Sequence, residues 1–184
     1  MYTADPSAHV FDGKLFVYPS HDIPDCPSGA GKHNFCMADY HCFSTVDLMD
    51  WTDHGMILHQ DDVPRAGGDY TMWAPDCAKK DLTYYFYFPT RNQDSLFRIG
   101  VATSSRPEGP FVPKSLPIAG ANSTDPCIFI DDDGTPYLFW GGGGAIAIMQ
   151  LESDMKTSIE STKVITSTAM EFTTSGYVSG ESAV

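Results

Sequence analysis

The sequence contains few basic residues. Its 184 residues include 11 Lys and Arg against 24 Asp and Glu, which gives a formal net charge of −13. This charge disfavours nucleic acid and anionic membranes as partners, because both are themselves negatively charged. It is compatible with a neutral ligand such as a sugar, and a requirement for solubility alone explains it equally well.

Long apolar runs are also missing. The sequence has no stretch of roughly 18 apolar residues, so we predict no membrane-spanning helix. Residues 1–5 form neither a basic nor an apolar region, so no signal peptide is recognised. A mature chain would look the same, and the location therefore stays open between secreted, periplasmic and cytoplasmic.

Cysteine is sparse and odd in number. The five Cys include no Cys-x-x-Cys pair, which argues against a zinc ribbon and against a full disulfide framework. Cys26 and Cys36 flank a Gly-rich loop, where a bridge and free thiols both remain open. We predict no metal site, because metal-ligand spacing is absent among His33, His41, His54 and His59.

The sequence does contain a threefold repeat. Hydrophobic residues make up 42% and aromatic residues 12% of the chain, as expected for a folded domain. Each copy places an acid beside a proline, followed by a short apolar segment, a polar turn and an aromatic-rich strand. The copies begin at Asp5-Pro, at Trp73-Ala-Pro-Asp76 and at Asp125-Pro. Repetition at this scale indicates a repeat architecture.

The periodicity favours β-strands throughout, and no long stretch has a convincing helical period. Asp12-Gly13 and Asp133-Gly134 between apolar segments predict hairpins. Each copy continues with two further strand-like segments; in the second copy these are 97–104 and 106–111. Each unit therefore resembles a four-stranded antiparallel sheet of roughly 45 to 60 residues, the size of a propeller blade.

We place the blades at about 5–65, 70–120 and 124–168 of one all-β domain, 1–184. The segment between Asp22 and Met37 is predicted to be a long loop inside the first blade. Three blades are too few to close a propeller. We therefore expect an incomplete domain whose tail, 169–184, leads into a fourth blade, with the missing blades following in a longer chain or supplied by another polypeptide or a second copy.

The repeated acids suggest a site. The innermost strand of every blade lines the axis of a propeller, so residues at one repeat position converge. Asp5, Asp76 and Asp125 are assigned to that matching position. Paired carboxylates beside a pocket are what glycoside hydrolysis requires, one as base and one as acid. Alternatively, Asp-Pro at a strand start is turn chemistry without any catalytic role.

The ordered set of motifs resembles glycoside hydrolase family 43 over about residues 4–145. The motifs are Asp5-Pro with its Gly-Lys-Leu-Phe-Val-Tyr strand, Trp73-Ala-Pro-Asp76 with Tyr-Tyr-Phe-Tyr-Phe, Phe97-Arg-Ile-Gly-Val-Ala-Thr-Ser, and Asp125-Pro with Asp-Asp-Asp-Gly. The resemblance implies a five-bladed β-propeller, of which this chain supplies about three blades. It also implies hydrolysis of xylosides, arabinosides or related glycans with inversion.

The resemblance further implies roles for three carboxyl groups. Asp5 would be the general base that holds the attacking water. Asp125 would orient the acid and keep it protonated, because a nearby negative charge disfavours a second ionisation. The family places a Glu on the fourth blade as general acid. Glu181 is the candidate here, and the alternative is an acid beyond Val184. We reject Glu108, which is expected in a turn.

Four further residues are candidates for substrate binding: Trp73, Phe35, Asp76 and His21. Trp73 would stack on a sugar ring, with core packing as the alternative. Phe35 would wall the pocket from the long loop. His21 would reach a sugar hydroxyl, although a structural hydrogen bond is the more ordinary role of such a residue.

No cofactor is required by this scheme. Some members of the family hold calcium in the central channel on a His from a later blade, so that ion cannot be predicted here. The leading hypothesis is an inverting β-xylosidase or α-L-arabinofuranosidase acting on xylo- or arabino-oligosaccharides. The alternatives are a non-catalytic carbohydrate-binding propeller and a fragment active only with a complementing C-terminal polypeptide.

Overall fold

A computed structural model describes residues 1–24, 26, 35–142, 145–159 and 163–166. The first of its three sheets has the order β1-β2-β3-β4, with every neighbouring pair antiparallel. Its strands are β1 (Tyr2–Phe11), β2 (Lys14–Asp22), β3 (Met37–Thr45) and β4 (Thr52–His59). A short 3-10 helix, Gln60–Asp62, follows the last strand.

The second and third sheets repeat this layout in chain order. The second contains β5 (Asp76–Lys80), β6 (Thr83–Arg91), β7 (Phe97–Ser104) and β8 (Val112–Pro113). The third contains β9 (Thr124–Ile130), β10 (Pro136–Gly142), β11 (Ala145–Gln150) and β12 (Lys163–Thr166). The predicted all-β class with antiparallel four-stranded units is confirmed. Nowhere in the described ranges does a helix have the length and apolar character needed to cross a membrane.

The turn residues explain where the hairpins close. Asp12 and Gly13 join β1 to β2, with φ angles of 52° and 79°. Positive φ at both central residues is the two-residue turn whose twist suits a hairpin, and Asp-Gly is a favoured pair for it. In the third sheet, Gly134 N donates to Asp131 O and Asp131 N donates to Thr135 O, so the predicted hairpin turn is confirmed there too.

The expected outer strand of the second sheet over 106–111 is wrong. The structure pairs Val112–Pro113 with β7 instead, and 106–111 form a turn. Pro107 and Pro110 have no N–H to donate to a ladder, and Gly109 has a φ of 73° that an extended strand does not adopt. The turn contacts the first sheet, where Tyr18 donates a hydrogen bond from its hydroxyl to Pro107 O at 2.8 Å.

Alternation along β6 places the second sheet between the other two. Phe86 and Phe88 pack into a core with Phe16, Tyr18 and Tyr40 of the first sheet. The intervening Tyr87 packs into a second core with residues of the third sheet: Ile128, Leu138, Trp140 and Met149. Because successive side chains of a strand point to opposite faces, strand β6 contributes aromatic side chains to both cores. Both faces of the second sheet are therefore buried, as in stacked blades.

A disulfide joins Cys26 to Cys36 across a sequence separation of 10. Closing a loop of this length restricts the unfolded chain and is expected to contribute roughly 2–3 kcal/mol to the free energy of unfolding. We expect Cys36→Ser to lower that free energy by this amount in urea titrations under oxidising conditions. The wild-type chain in excess reductant is the control and should match the variant. Equal midpoints for the oxidised wild type and the variant would contradict the assignment.

Candidate active site

The first strands of the three sheets lie side by side. Strand β1 contacts β5, and β5 contacts β9. Two hydrogen bonds join them: the His9 Nε2–Asp76 Oδ1 pair at 2.6 Å, and Ile128 N donating to Asp76 Oδ2 at 2.7 Å. The strands that carry the repeated acids therefore form one continuous inner layer.

Asp5 and Asp125 occupy equivalent distortions of their strands. In β1 the register shifts between Ala4 and Ser7, so that Asp5 and Pro6 face a single residue of β2. In β9 the same shift places Asp125 and Pro126 opposite one residue of β10. These are β-bulges, which bend a strand and re-aim its side chains.

The backbone conformation of the two acids is also the same. The φ angle is 46° at Asp5 and 56° at Asp125, in the left-handed region. Asp tolerates this region better than most residues because its short side chain can bond locally, yet the conformation still costs on the order of 1 kcal/mol. The first and third sheets therefore hold an acid in the same strained backbone conformation at the same kind of bulge.

The expectation that Asp76 matches Asp5 and Asp125 in position is wrong. Asp76 pairs in regular register with Tyr87, as Ser7 pairs with Tyr18, so its ladder position is that of Ser7. The reason lies in the order of the motif, since proline precedes Asp76 but follows the other two acids. Asp76 is buried, with 5% of its surface exposed. Its carboxylate accepts bonds from Cys77 N at 2.8 Å and from Ile128 N, besides its contact with His9.

Trp73 and Phe35 form an aromatic cluster with Phe97. The Phe35 ring meets Trp73 edge-on at 5.9 Å between centroids, and the Phe97 ring centroid lies 4.8 Å from that of Trp73. The Arg91 guanidinium covers Phe97 at 4.8 Å. Phe35 is 54% exposed, so the cluster presents an aromatic surface next to the disulfide-bonded Cys36.

Sequence reasoning missed Tyr40, which lies beneath this region. Its hydroxyl donates to Trp73 O at 2.6 Å and so fixes the backbone that carries the aromatic cluster. Burial raises the pKa of Tyr40 well above its usual value; Arg65 opposes that rise, and the charges of Asp125 and Asp39 add to it.

Sequence reasoning also missed Arg65, because it lies in a connecting segment without a motif. Burial lowers the pKa of its guanidinium to about 10. The guanidinium donates to Asn92 Oδ1 at 2.9 Å and lies over the Phe88 ring. A Cβ at Gly100 would come within 2.0 Å of its terminal nitrogen, so the Arg-Ile-Gly-Val strand needs glycine there. A glycine inside a strand was the available signal.

The remaining candidates are placed as follows. His21 contacts the Asp39 carboxylate through Nδ1, at 3.1 and 3.2 Å. Glu108 pairs with Arg106 at 3.8 Å in the turn, as expected for a residue without a catalytic role. Glu181 lies outside the described residues. Near His21, the structure also gathers His41, which the spacing of histidines in the sequence had not indicated.

Comparison with known proteins settles the family. The family model for glycosyl hydrolases family 43 matches residues 4–183. The chain belongs to glycoside hydrolase family 43. A relative named xylosidase/arabinosidase 43A, from Humicola insolens, is 49% identical over 156 residues, which are 82% of this chain and 47% of that protein. A xylosidase/arabinosidase of Bacteroides ovatus is 46% identical over 77% of this chain and 44% of its own length.

Solved structures of this family agree with the fold. CoXyl43, a family 43 β-xylosidase/α-arabinofuranosidase from a compost microbial metagenome solved with xylotriose, is 41% identical with a TM-score of 0.82. The match covers 89% of this chain and 59% of that one. The β-xylosidase RS223 gives a TM-score of 0.80 at 39% identity, over 88% and 58% of the two chains. The chain spans about half the length of the two curated relatives named above, and the three sheets correspond to part of a family 43 propeller.

Proposed function

We propose that this chain supplies the general base, Asp5, and the modulating carboxylate, Asp125, of an inverting glycosidase that removes xylosyl or arabinofuranosyl residues from hemicellulose-derived glycans. The proposal is carried by the matched bulges, which hold both acids in one strained conformation on inner strands. Family membership and the names of the two relatives support the substrate class. We further propose that the three sheets are the first blades of a single catalytic domain, 1–184, at about 5–65, 70–120 and 124–168.

In the proposed reaction, the Asp5 carboxylate takes a proton from water as that water attacks the anomeric carbon. A second carboxyl group donates a proton to the departing glycosidic oxygen. Inversion needs these two groups roughly 6.5–9.5 Å apart so that the water fits between them. Asp125, on a different inner strand, would orient the acid and disfavour its ionisation by its own charge.

The donor of that proton has two candidate sources. Glu181 remains the candidate within this sequence, and an acid contributed by residues that complete the propeller is the alternative. No described residue is assigned to the calcium of the family, and no step above depends on an ion.

An assay of this chain with chromogenic β-xyloside and α-L-arabinofuranoside tests the proposal. It is run alone and after mixing with the part of the Humicola insolens relative that follows its matched 156 residues. Turnover by the chain alone supports Glu181 as the acid, and turnover only in the mixture supports a complementing segment. Sugar binding without turnover in either preparation would replace the proposal with a carbohydrate-binding propeller.

The aromatic cluster is proposed to bind the substrate, and Phe35 gives the cleanest test. An aromatic contact of this kind contributes roughly 0.5–1.5 kcal/mol, so Phe35→Ala should raise KM roughly 2- to 13-fold. The melting temperature should barely change, because the side chain is 54% exposed. Leu82→Ala, at an 85% exposed residue in the turn after β5, is the matched control and should leave KM unchanged. An unchanged KM for Phe35→Ala would contradict the assignment.

A further inference from the structure

We propose that His21, Asp39 and His41 form a binding site for a divalent transition metal ion of the zinc class. The three residues lie at neighbouring ends of β2 and β3, and each offers one ligand atom. All three ligand atoms are within 4.8 Å of one another. None of the three residues is a carboxylate assigned above to glycoside hydrolysis.

The distances within the cluster fit metal ligation. His21 Nδ1 lies 3.1 and 3.2 Å from the two Asp39 oxygens, and His41 Nε2 lies 3.3 Å from Asp39 Oδ1. Ligands about 2.0–2.1 Å from a tetrahedral zinc ion are themselves separated by about 3.3 Å. The rings approach from different directions, with an interplanar angle of 72°. The separations between each ring nitrogen and Asp39 thus match edges of a coordination tetrahedron, and the two ring nitrogens lie within 4.8 Å of each other.

A simple hydrogen-bond network accounts for His21 but not for His41. His41 Nε2 lies close to Asp39 without the alignment of a hydrogen bond. In the described part of the chain, its Nδ1 is buried and has no hydrogen-bond partner either. Buried polar groups are normally paired, so a partner for this ring is expected. An ion near Asp39 would engage Nε2, the nitrogen that lies 3.3 Å from the carboxylate, and would leave the contacts of Nδ1 unchanged.

The backbone is distorted at the cluster. Between Ser20 and Asp22 the β2–β3 register shifts, so His21 faces two residues of β3. A second shift, against β4, falls between Tyr40 and His41. Because bulges re-aim side chains and concentrate near functional sites, two of them around three potential ligands argue for a built site. Tyr40, between the two β3 ligands, packs in the core and so fixes Asp39 and His41 on the opposite face.

The chemical types of the three ligand atoms determine which metal ions would bind. Two imidazole nitrogens and one carboxylate suit zinc, cobalt or nickel, whereas calcium and magnesium prefer oxygen ligands throughout. Asp39 and His41 are largely buried, and the His21 side chain is 29% exposed, which leaves an open side for water as fourth ligand. His21 pairs with Thr3 of β1, so the ion would fasten the strand end that leads into Asp5.

Equilibrium dialysis of the EDTA-treated 184-residue chain against zinc chloride, with metal analysis, tests the site. We expect about one zinc per chain, bound with an affinity that His41→Gln or Asp39→Asn lowers by more than about 100-fold, since loss of a merely supporting group costs 10- to 100-fold. His59→Gln is the matched control, because His59 faces Asp61 at 3.5 Å and the described residues add no third ligand there. Millimolar calcium should not displace the zinc. Equal zinc affinity in all variants, or displacement by calcium, would overturn the proposal.

A second measurement needs no variant and so does not depend on how the substitutions fold. X-ray absorption at the zinc edge of the loaded wild-type chain should count two imidazoles at about 2.0–2.1 Å. With cobalt in place of zinc, the visible absorption should be that of a tetrahedral ion. One imidazole or none, or an octahedral cobalt spectrum, would show an adventitious surface ion and sink the proposal.

Discussion

Asp5→Asn is expected to lower kcat by about 10²- to 10⁴-fold, the usual contribution of a positioned general base. Asparagine has the same shape and tolerates the left-handed conformation that Asp5 adopts, so the bulge in β1 should persist. Its amide cannot accept the proton of the attacking water. Substrate affinity should therefore change little, and the loss should appear in kcat. The measurement is made in whichever preparation hydrolyses the chromogenic substrate.

Asp12→Asn is the matched control for this variant. Asp12 lies in the turn that ends the same strand and also has a positive φ, of 52°. It makes an exposed ion pair with Lys79 at 2.8 Å, a type of contact that contributes little. The control should keep the wild-type kcat. Retention of normal turnover by Asp5→Asn, with the Asp12 variant unchanged, would remove Asp5 from the role of base.

The sequence was a good guide to the sheets because their determinants are local. Asp12-Gly13 determines a hairpin by its own φ angles, and the alternation of Phe86 and Tyr87 assigns one residue to each core. The equivalent positions of Asp5 and Asp125 could be predicted because both acids directly precede a proline. Where proline and acid changed order, at Asp76, the resemblance of the motif misled, since position in a sheet is set by strand register.

Contacts between residues that are distant in sequence could not be predicted from local patterns. Asp39 and His41 are two apart in sequence, but His21 joins them only because β2 and β3 pair with shifted register. Tyr40 bonds the Trp73 carbonyl across a gap of 33 residues, and no local pattern announces such a contact. Both depend on how strands and sheets pack, which composition and periodicity do not contain.

Asp76→Ala is expected to lower the free energy of unfolding by about 3–5 kcal/mol. The carboxylate is the acceptor for the backbone N–H groups of Cys77 and Ile128, which are buried bonds, and it contacts His9. Leaving a buried donor unpaired costs roughly 1–3 kcal/mol, and breaking a buried charged pair adds to that. Because His9, Asp76 and Ile128 belong to three different sheets, the variant should also loosen the packing between them.

Urea unfolding followed by tryptophan fluorescence measures this change, and the melting temperature should fall by roughly 10 °C. His9→Gln separates the partners: it removes one contact and leaves both backbone donors satisfied, so its cost should be smaller. Asp12→Asn serves again as control, since its carboxylate links the first two sheets at an exposed position and should leave the midpoint almost unchanged. A loss under about 1 kcal/mol for Asp76→Ala would mean that water or a neighbouring group replaces the carboxylate. The three inner strands would then be held together by their apolar cores rather than by this one buried acid.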